Sequence, residues 1–469
     1  MYERYHLPKK DLPLAEKPFA KNAVIRDDRC MNCGRCVDQC IYGVHERDAK
    51  DPRVMAEPKA YLCKNCLRCV ENCPQRALTV KYSDEYQSLG VGIWTPTRVT
   101  TIWNESQTGK LPVYGAGYRG KFAAPGYDSM WTDMSEIVRP TRDGIHGREY
   151  ISTSVELGRK LNHLAFDANG KLLSKVYDSI DLPLPIIFDI PAGKLSANVK
   201  LALIAAAAEI NTCIVMPAGD IAPDLEKYSQ HIIPCISHKD IDRRQAVLKK
   251  ARMVAIEYDD ALLNDLPRVQ GAIKQIGNAL TIIRIPAAKD VESTVSKLAH
   301  MGAEIMHVVG DYRGMEAGCA ADSSPRLLKD VIRAVHLRLV DERIRDEVTL
   351  VFSGGIAMAE HVPKAMLCGA DLTAIDLPLL IAIGARLYED SKEPLVFPEG
   401  LGKIPVQIVK QRMVNLMVAW HSQLLEVMGA MGIREARRLR GETGRAIFFD
   451  EIDNDTFGKL FKKGEAANV

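Results

Sequence analysis

Eight cysteines packed between residues 30 and 73 constrain this chain more than any other feature. Cys30, Cys33, Cys36 and Cys40 follow a C-x2-C-x2-C-x3-C spacing. Cys63, Cys66, Cys69 and Cys73 repeat it, and Pro74 comes next. Three thiolates two residues apart wrap one corner of an iron–sulfur cubane, and the fourth points away to serve the other cluster. The spacing therefore assigns Cys30, Cys33, Cys36 and Cys73 to one [4Fe–4S] cluster, and Cys63, Cys66, Cys69 and Cys40 to a second. Disulfides would require an oxidising compartment, and zinc ribbons use paired C-x2-C knuckles rather than tandem four-cysteine runs. The remaining four of the 12 cysteines, Cys213, Cys235, Cys319 and Cys368, share no ligand spacing. Cys213 and Cys368 read as small buried hydrophobes, while Cys319, after a glycine-containing loop, is harder to dismiss.

This segment resembles a bacterial-type dicluster ferredoxin, with Ile41 in place of the proline usual after the first fourth cysteine. Composition narrows the rest. Lys plus Arg total 62 against 60 for Asp plus Glu, a net charge of +2. That balance gives no basic surface for nucleic acid and no reason to expect an anionic membrane partner. No apolar stretch reaches the roughly 18 residues of a membrane span; the closest, residues 372–385, contains Asp376. The N-terminal MYERYHLPKKDLPL lacks the apolar core of a secretory signal, so the expected location is the cytoplasm.

The 469 residues suggest about three units. Residues 1–22 read as an extended arm, 23–82 as the cluster domain and 83–159 as an irregular connection. From about residue 160, short apolar runs alternate with helical stretches. PIIFDI (185–190), NTCIVMP (211–217), MVAIEY (253–258), ALTIIRIP (279–286), EIMHVVG (304–310), VTLVFSGGI (348–356) and DLTAID (371–376) read as strands. Residues 197–210, 290–302 and 325–344 read as helices, the first N-capped by Ser196. Such alternation implies a parallel sheet, and its length suits an α/β fold of the (β/α)8, or TIM-barrel, kind over 160–395. Residues 396–469 read as a C-terminal helical extension. In such barrels the active face lies at the strand C-termini, with phosphate after the last two strands. Ser353, Gly354 and Gly355 close the second-last strand, where glycines let backbone N–H groups approach a phosphate.

The stretch SGGIAMAEHVPKAMLCGADLTAIDLPLLIAIGARL resembles the FMN-binding barrel of the glutamate synthase family. IPAGKLSANVKLALIAAAAE resembles that family's flavin-wrapping loop and helix after the first strand, and VVGDYRGMEAG its glycine-rich loop after the sixth. The resemblance spans roughly residues 160–390. It implies an iron–sulfur flavoprotein oxidoreductase with two [4Fe–4S] clusters and FMN. The implied flavin-site residues are Ala192, Gly193, Lys194, Arg284, Gly310, Ser353, Gly354, Gly355 and Asp376. It further implies reductive formation of glutamate from 2-oxoglutarate, a ferredoxin-type donor or other redox subunits, and an ammonia-supplying subunit. The alternative is an electron-transfer subunit whose barrel has lost that activity.

Departures from the family favour the alternative. Glu257 and Tyr258 stand where a lysine is expected, Asp376 stands where a glycine usually meets the FMN phosphate, and no cysteine triplet follows Cys368 for a three-iron cluster. Tyr2 follows Met1, so an N-terminal catalytic cysteine is not expected. Arg284 is placed to stabilise reduced flavin or to form a salt bridge. Lys194 reads as a carboxylate ligand or a solvated lysine, Asp311 and Arg313 as an ion pair, and His307 as a satisfied core histidine. Gly115-x-Gly117-x-x-Gly120 is rejected as a dinucleotide site because no βαβ unit surrounds it. RPTRDGIHGRE (139–149) reads as a solvated connection or a cover over the barrel mouth.

Overall fold

The computed structural model describes residues 7–12, 19–112, 126–132, 151–174, 177–190, 195–317, 324–388, 395–396 and 404–461. Two compact units emerge. One comprises residues 12–100 with 386–397, and the other comprises 1–11, 101–385 and 398–469.

In the smaller unit β1 (Asn22–Arg26) pairs antiparallel with β2 (Leu78–Tyr82). Between them lie the short helices α1 (Arg35–Gln39) and α2 (Arg68–Glu71). The two cysteine runs fold as a repeat. Asn32 and Gly34 in the first, and Asn65 and Leu67 in the second, all take positive φ at matching positions (54°, 82°, 56° and 61°). Asparagine and glycine tolerate this conformation, whereas leucine is strained by its Cβ.

The larger unit is a closed barrel of eight parallel strands. They are β4 (Ile186–Asp189), β5 (Ile214–Pro217), β6 (Ile232–Ser237), β7 (Met253–Glu257), β8 (Leu280–Pro286), β9 (Ile305–Val309), β10 (Thr349–Ser353) and β11 (Leu372–Ile375). Each pairs with its sequence neighbours, and β11 closes on β4 with Thr373 opposite Ile186. Both faces of these strands are buried: Ile187, Phe188, Val254, Ile283, Met306, Leu350 and Ala374 are all sealed from solvent.

Helices separate most strands: α4 (Ala197–Glu209), α5 (Ile241–Leu248), α6 (Leu262–Gly277), α7 (Val291–His300), α8 (Leu328–Asp341) and α9 (His361–Cys368), with α10 (Leu377–Ala382) after the last. Ser196 caps α4 as expected, accepting the Val199 N–H at 3.4 Å. The seven strands read from the sequence all form, and β6 is the one added. Pro234 interrupts its apolar run. Only 3-10 turns, not a helix, separate it from β5. Pro234 is tolerated because pairing with β7 begins at the next residue, Cys235.

Two elements lie in stretches read otherwise. Residues Pro96–Thr108, in the span read as irregular, form helix α3. Its buried face carries Thr101, Glu105 and Ser106 beside Val99 and Ile102, so apolar periodicity is missing. In the C-terminal span read as helical, helix α11 (Val406–Met431) packs on α4, and the short strand β12 (Ala446–Phe448) pairs with β3 (Met130–Thr132). Asn415 of α11 is fully buried and grips Lys10 by both its main-chain N–H (3.0 Å) and carbonyl (2.8 Å). No helix among the described residues is long and apolar enough to cross a membrane.

Candidate functional site

In the smaller unit the eight cysteines fall into two neighbourhoods. Cys30, Cys33, Cys36 and Cys73 line one small cavity, together with Arg26, Met31, Met55 and Leu78. Cys40 lies with Cys63, Cys66 and Cys69 instead of with its own run: burial and these three neighbours push the Cys69 thiol up to about 11. Burial raises the Cys63 thiol as well, and a neighbouring cation would favour the thiolate. Main-chain N–H groups already point at sulfur, Ala77 to Cys73 at 3.3 Å and Asn65 to Cys63 at 3.4 Å. Such bonds tune cluster potential. Two sets of four thiols are the donor chemistry that cubane clusters use.

At the C-terminal face of the barrel, the strand ends bring together Asp189 (β4), Arg284 (β8), His307 (β9), Ser353 (β10) and Asp376, just past β11. Arg284 pairs with Asp189 through two contacts, at 2.7 and 2.9 Å, and the Asp189 side chain is 8% exposed. Burial pushes the Asp189 carboxyl up, opposed by Arg284. Burial lowers Arg284, but the charge and hydrogen bonding of Asp189, together with Cys235 and Asp376, more than restore it. The salt-bridge reading of Arg284 is therefore the one the geometry gives. Truncation by Asp189→Ala leaves the guanidinium without its partner. It is expected to cost about 3 kcal/mol, the low end for a broken buried pair because Arg284 keeps some exposure. Urea unfolding of the two proteins checks this.

His307 is fully buried, with Nε2 2.8 Å from the Ser353 hydroxyl. Its Nδ1 has no partner among the described residues, so it is only half satisfied as a core histidine. Burial, reinforced by Arg284, drives its pKa well below the usual value, and the ring is neutral. Gly310 and Gly354 pack backbone to backbone: a Cβ on Gly354, where φ is +107°, would lie 2.7 Å from the Gly310 carbonyl carbon. This close approach is what requires glycine there. Gly355, at φ +65°, is buried, as is Ile356. Among the described residues neither finds a main-chain acceptor for its N–H. Buried unpaired donors of this kind fit a phosphate monoester.

The other half of the expected phosphate site does not fit. Asp376 N-caps α10, its carboxylate accepting the Leu377 N–H at 2.6 Å. The position where a phosphate would meet that N–H holds a carboxylate. Burial, with Asp189 adding to it, pushes Asp376 up to about 6. Ala192, Gly193, Lys194 and Cys319 lie outside the described residues, as do Gly115–Gly120 and 139–149. Asp311 and Arg313 form the expected ion pair, at 3.2 Å, and Cys213 and Cys368 are buried. Sequence reasoning passed over Asp189, although an acid ending the first barrel strand could have been paired with Arg284. It also passed over Glu105 of α3. That residue is 1% exposed and takes the Trp420 indole N–H at 3.0 Å; no periodicity marked it.

Comparison with known proteins agrees with both halves. Residues 29–78 match the 4Fe-4S dicluster domain, and residues 255–434 match the conserved region in glutamate synthase. The archaeal glutamate synthase [NADPH] of Archaeoglobus fulgidus is 25% identical, over 92% of this chain and 95% of its own. The archaeal-type glutamate synthase [NADPH] of Dehalococcoides mccartyi is also 25% identical, over 88% and 92%. Among solved structures, a lactate oxidase of Pediococcus acidilactici aligns at 11% identity and a TM-score of 0.41, covering 68% of this chain and 88% of that one. A stretch that matches a 4Fe-4S dicluster domain thus precedes, in the sequence, an eight-stranded barrel that carries most of the match to the conserved region in glutamate synthase.

Proposed function

We propose that this chain passes electrons through its two [4Fe–4S] clusters to an FMN in the barrel, for the reductive formation of glutamate from 2-oxoglutarate and ammonia. The observation that carries the reading is the crossed pair of four-cysteine sets in one chain with a barrel whose sequence matches glutamate synthase. The clusters supply one-electron transfer and the flavin two-electron chemistry when bound.

The protein's own part is to hold and shield these groups. The cysteines hold iron, and the Ala77 and Asn65 N–H groups hold charge on sulfur. The Gly355 and Ile356 N–H groups receive the phosphate, and Gly354 lets the β9 and β10 ends close together beneath it. Neutral His307 fixes the Ser353 hydroxyl. Electrons enter from a ferredoxin-type donor or another redox subunit, ammonia comes from a separate supplier, and the protein works in the cytoplasm.

A second reading is favoured by one observation: the Arg284 and Leu377 donors are already taken by Asp189 and Asp376. Under it the barrel makes no glutamate, and the chain is an electron-transfer subunit of a larger redox complex. Two measurements separate the readings. Anaerobically purified protein is expected to contain about eight irons and one FMN per chain. With reduced ferredoxin, 2-oxoglutarate and ammonium it is expected to form glutamate. Flavin without glutamate supports the second reading, and irons without flavin remove the barrel from the redox path.

A further inference from the structure

The two cysteine runs share one spacing, yet the basic residue that stands ahead of each is used differently. Arg26 precedes Cys30, and Lys59 precedes Cys63, by the same interval. Lys59 gives its Nζ to Glu46 at 2.6 Å, and both side chains are nearly half exposed. Arg26 ends β1 and lines the small cavity formed with Cys30, Cys33, Cys36 and Cys73. Its Nη2 donates to the Met55 and Ala56 carbonyls, both at 3.0 Å, which fixes the guanidinium. Its Nη1 is buried and has no hydrogen-bond partner among the described residues. Neither Asp nor Glu lines the cavity. A guanidinium can only donate, so a buried and fixed Nη1 beside four thiols is a donor that lacks its acceptor.

We propose that Arg26 donates its Nη1–H to a sulfur of the cluster held by Cys30, Cys33, Cys36 and Cys73, and so makes that cluster the easier of the two to reduce. Reduction adds one negative charge to a cubane. A fixed cation beside it, with an N–H on its sulfur, favours the reduced state. The second set has no equivalent, because Lys59 at the matching place is exposed and already neutralised by Glu46. Arg35 also lines the first cavity, but it is exposed and solvent screens it. Main-chain N–H groups reach both sets, Ala77 to Cys73 at 3.3 Å and Asn65 to Cys63 at 3.4 Å, so they do not set the two apart.

The charge of Arg26 is felt inside the set: burial raises the Cys36 thiol, and Arg26 is among the groups that oppose it. Electrons therefore gather on the first set, whichever set receives them. This deepens the reading above by giving the exchange between the clusters a direction. It rests on that reading only for the presence of both clusters.

The test is an anaerobic redox titration of the full chain at one fixed pH, followed by electron paramagnetic resonance of the reduced clusters. No turnover is required, so a barrel that makes no glutamate leaves the result readable. Wild type is expected to show two waves whose reduction equilibria differ at least about tenfold, which is about 59 mV for one electron. Arg26→Gln is expected to keep about eight irons and to lower the upper wave alone, by about the same factor. Arg26→Lys keeps the charge without the planar fork and is expected to lower it less. Lys59→Gln is expected to move neither wave. A merely structural Arg26 would change iron content or both waves together. A single wave in wild type, an unmoved upper wave in Arg26→Gln, or equal movement of both waves overturns the proposal. If Arg26→Gln loses iron, an unmoved upper wave in Arg26→Lys does so. Wild-type protein with fewer than about eight irons overturns the two-cluster reading itself, whereas eight irons with an unmoved wave overturn this inference alone.

Discussion

Cys40→Ala is expected to remove the cluster held by Cys63, Cys66 and Cys69, and to leave intact the cluster whose cysteines surround it in sequence. Iron should fall from about eight to about four atoms per chain. Cys73→Ala should give the same count by losing the other cluster. Single variants cannot tell crossed from sequential ligation, because both schemes predict half the iron. Double variants can. Under the crossed arrangement Cys40→Ala with Cys66→Ala strikes one cluster twice and still retains about four irons. Cys40→Ala with Cys33→Ala strikes both clusters and leaves almost none. Sequential ligation inverts these outcomes. The crossed result is expected because Cys73 lines the cavity with Cys30, Cys33 and Cys36, while Cys40 is an electrostatic neighbour of Cys63 and Cys69. Electron delivery from an external donor should be lost in every variant, since a relay with one carrier missing is broken.

What the sequence made legible depended on how local each signal was. Ligand spacing is local: a three-residue repeat of thiols carries its chemistry with little help from the rest of the chain, so the cysteine sets could be assigned before any strand was placed. Strands buried on both faces read as apolar runs, which is why seven of the eight barrel strands were recognisable. The eighth, β6, was hidden by Pro234 and by the absence of a helix before it. Helix α3 was hidden for a different reason. Its inward face is built from Thr101, Glu105 and Ser106, which only tertiary partners such as Trp420 and the Ala382 carbonyl make tolerable.

The barrel mouth was legible by position but not by partnership. Arg284, Ser353, Gly354 and Asp376 do lie at strand ends, yet their roles depend on what they touch. Arg284 holds Asp189, Ser353 holds His307, and Asp376 caps its own helix. A string of residues cannot show that a cation is already neutralised or that an N–H is already taken. The expectation that Arg284 offers free positive charge to a flavin therefore requires Asp189 to move aside.

Glu105→Gln is expected to make the protein more stable than wild type at pH 8.5 and no more stable at pH 5. The folded-state pKa of Glu105 is about 8, raised from 4.5, so the folded protein keeps a proton that the unfolded chain releases. A raised carboxyl contributes stability that is fully present below the unfolded value and is lost as pH rises through the folded one. Over the whole window the loss is on the order of a few kcal/mol, since each tenfold difference in proton affinity between the folded and unfolded states is worth about 1.4 kcal/mol. The amide cannot ionise, so the variant escapes it.

Other groups act in the same range but can be separated. Asp376, pushed up to about 6, loses its contribution with the same sign but is finished by neutral pH. His336, held down to about 4, and the buried His307 work in the opposite sense, since their neutral forms cost stability only as pH falls below the ordinary histidine value. The thiols of Cys213 and Cys235 are raised to about 11 and enter only in alkali. Between about pH 6.5 and 8 the slope belongs mainly to Glu105. Thermal or urea unfolding of both proteins at pH 5, 7 and 8.5 reads it directly. A variant less stable than wild type at every pH would mean that the carboxylate is ionised in the fold.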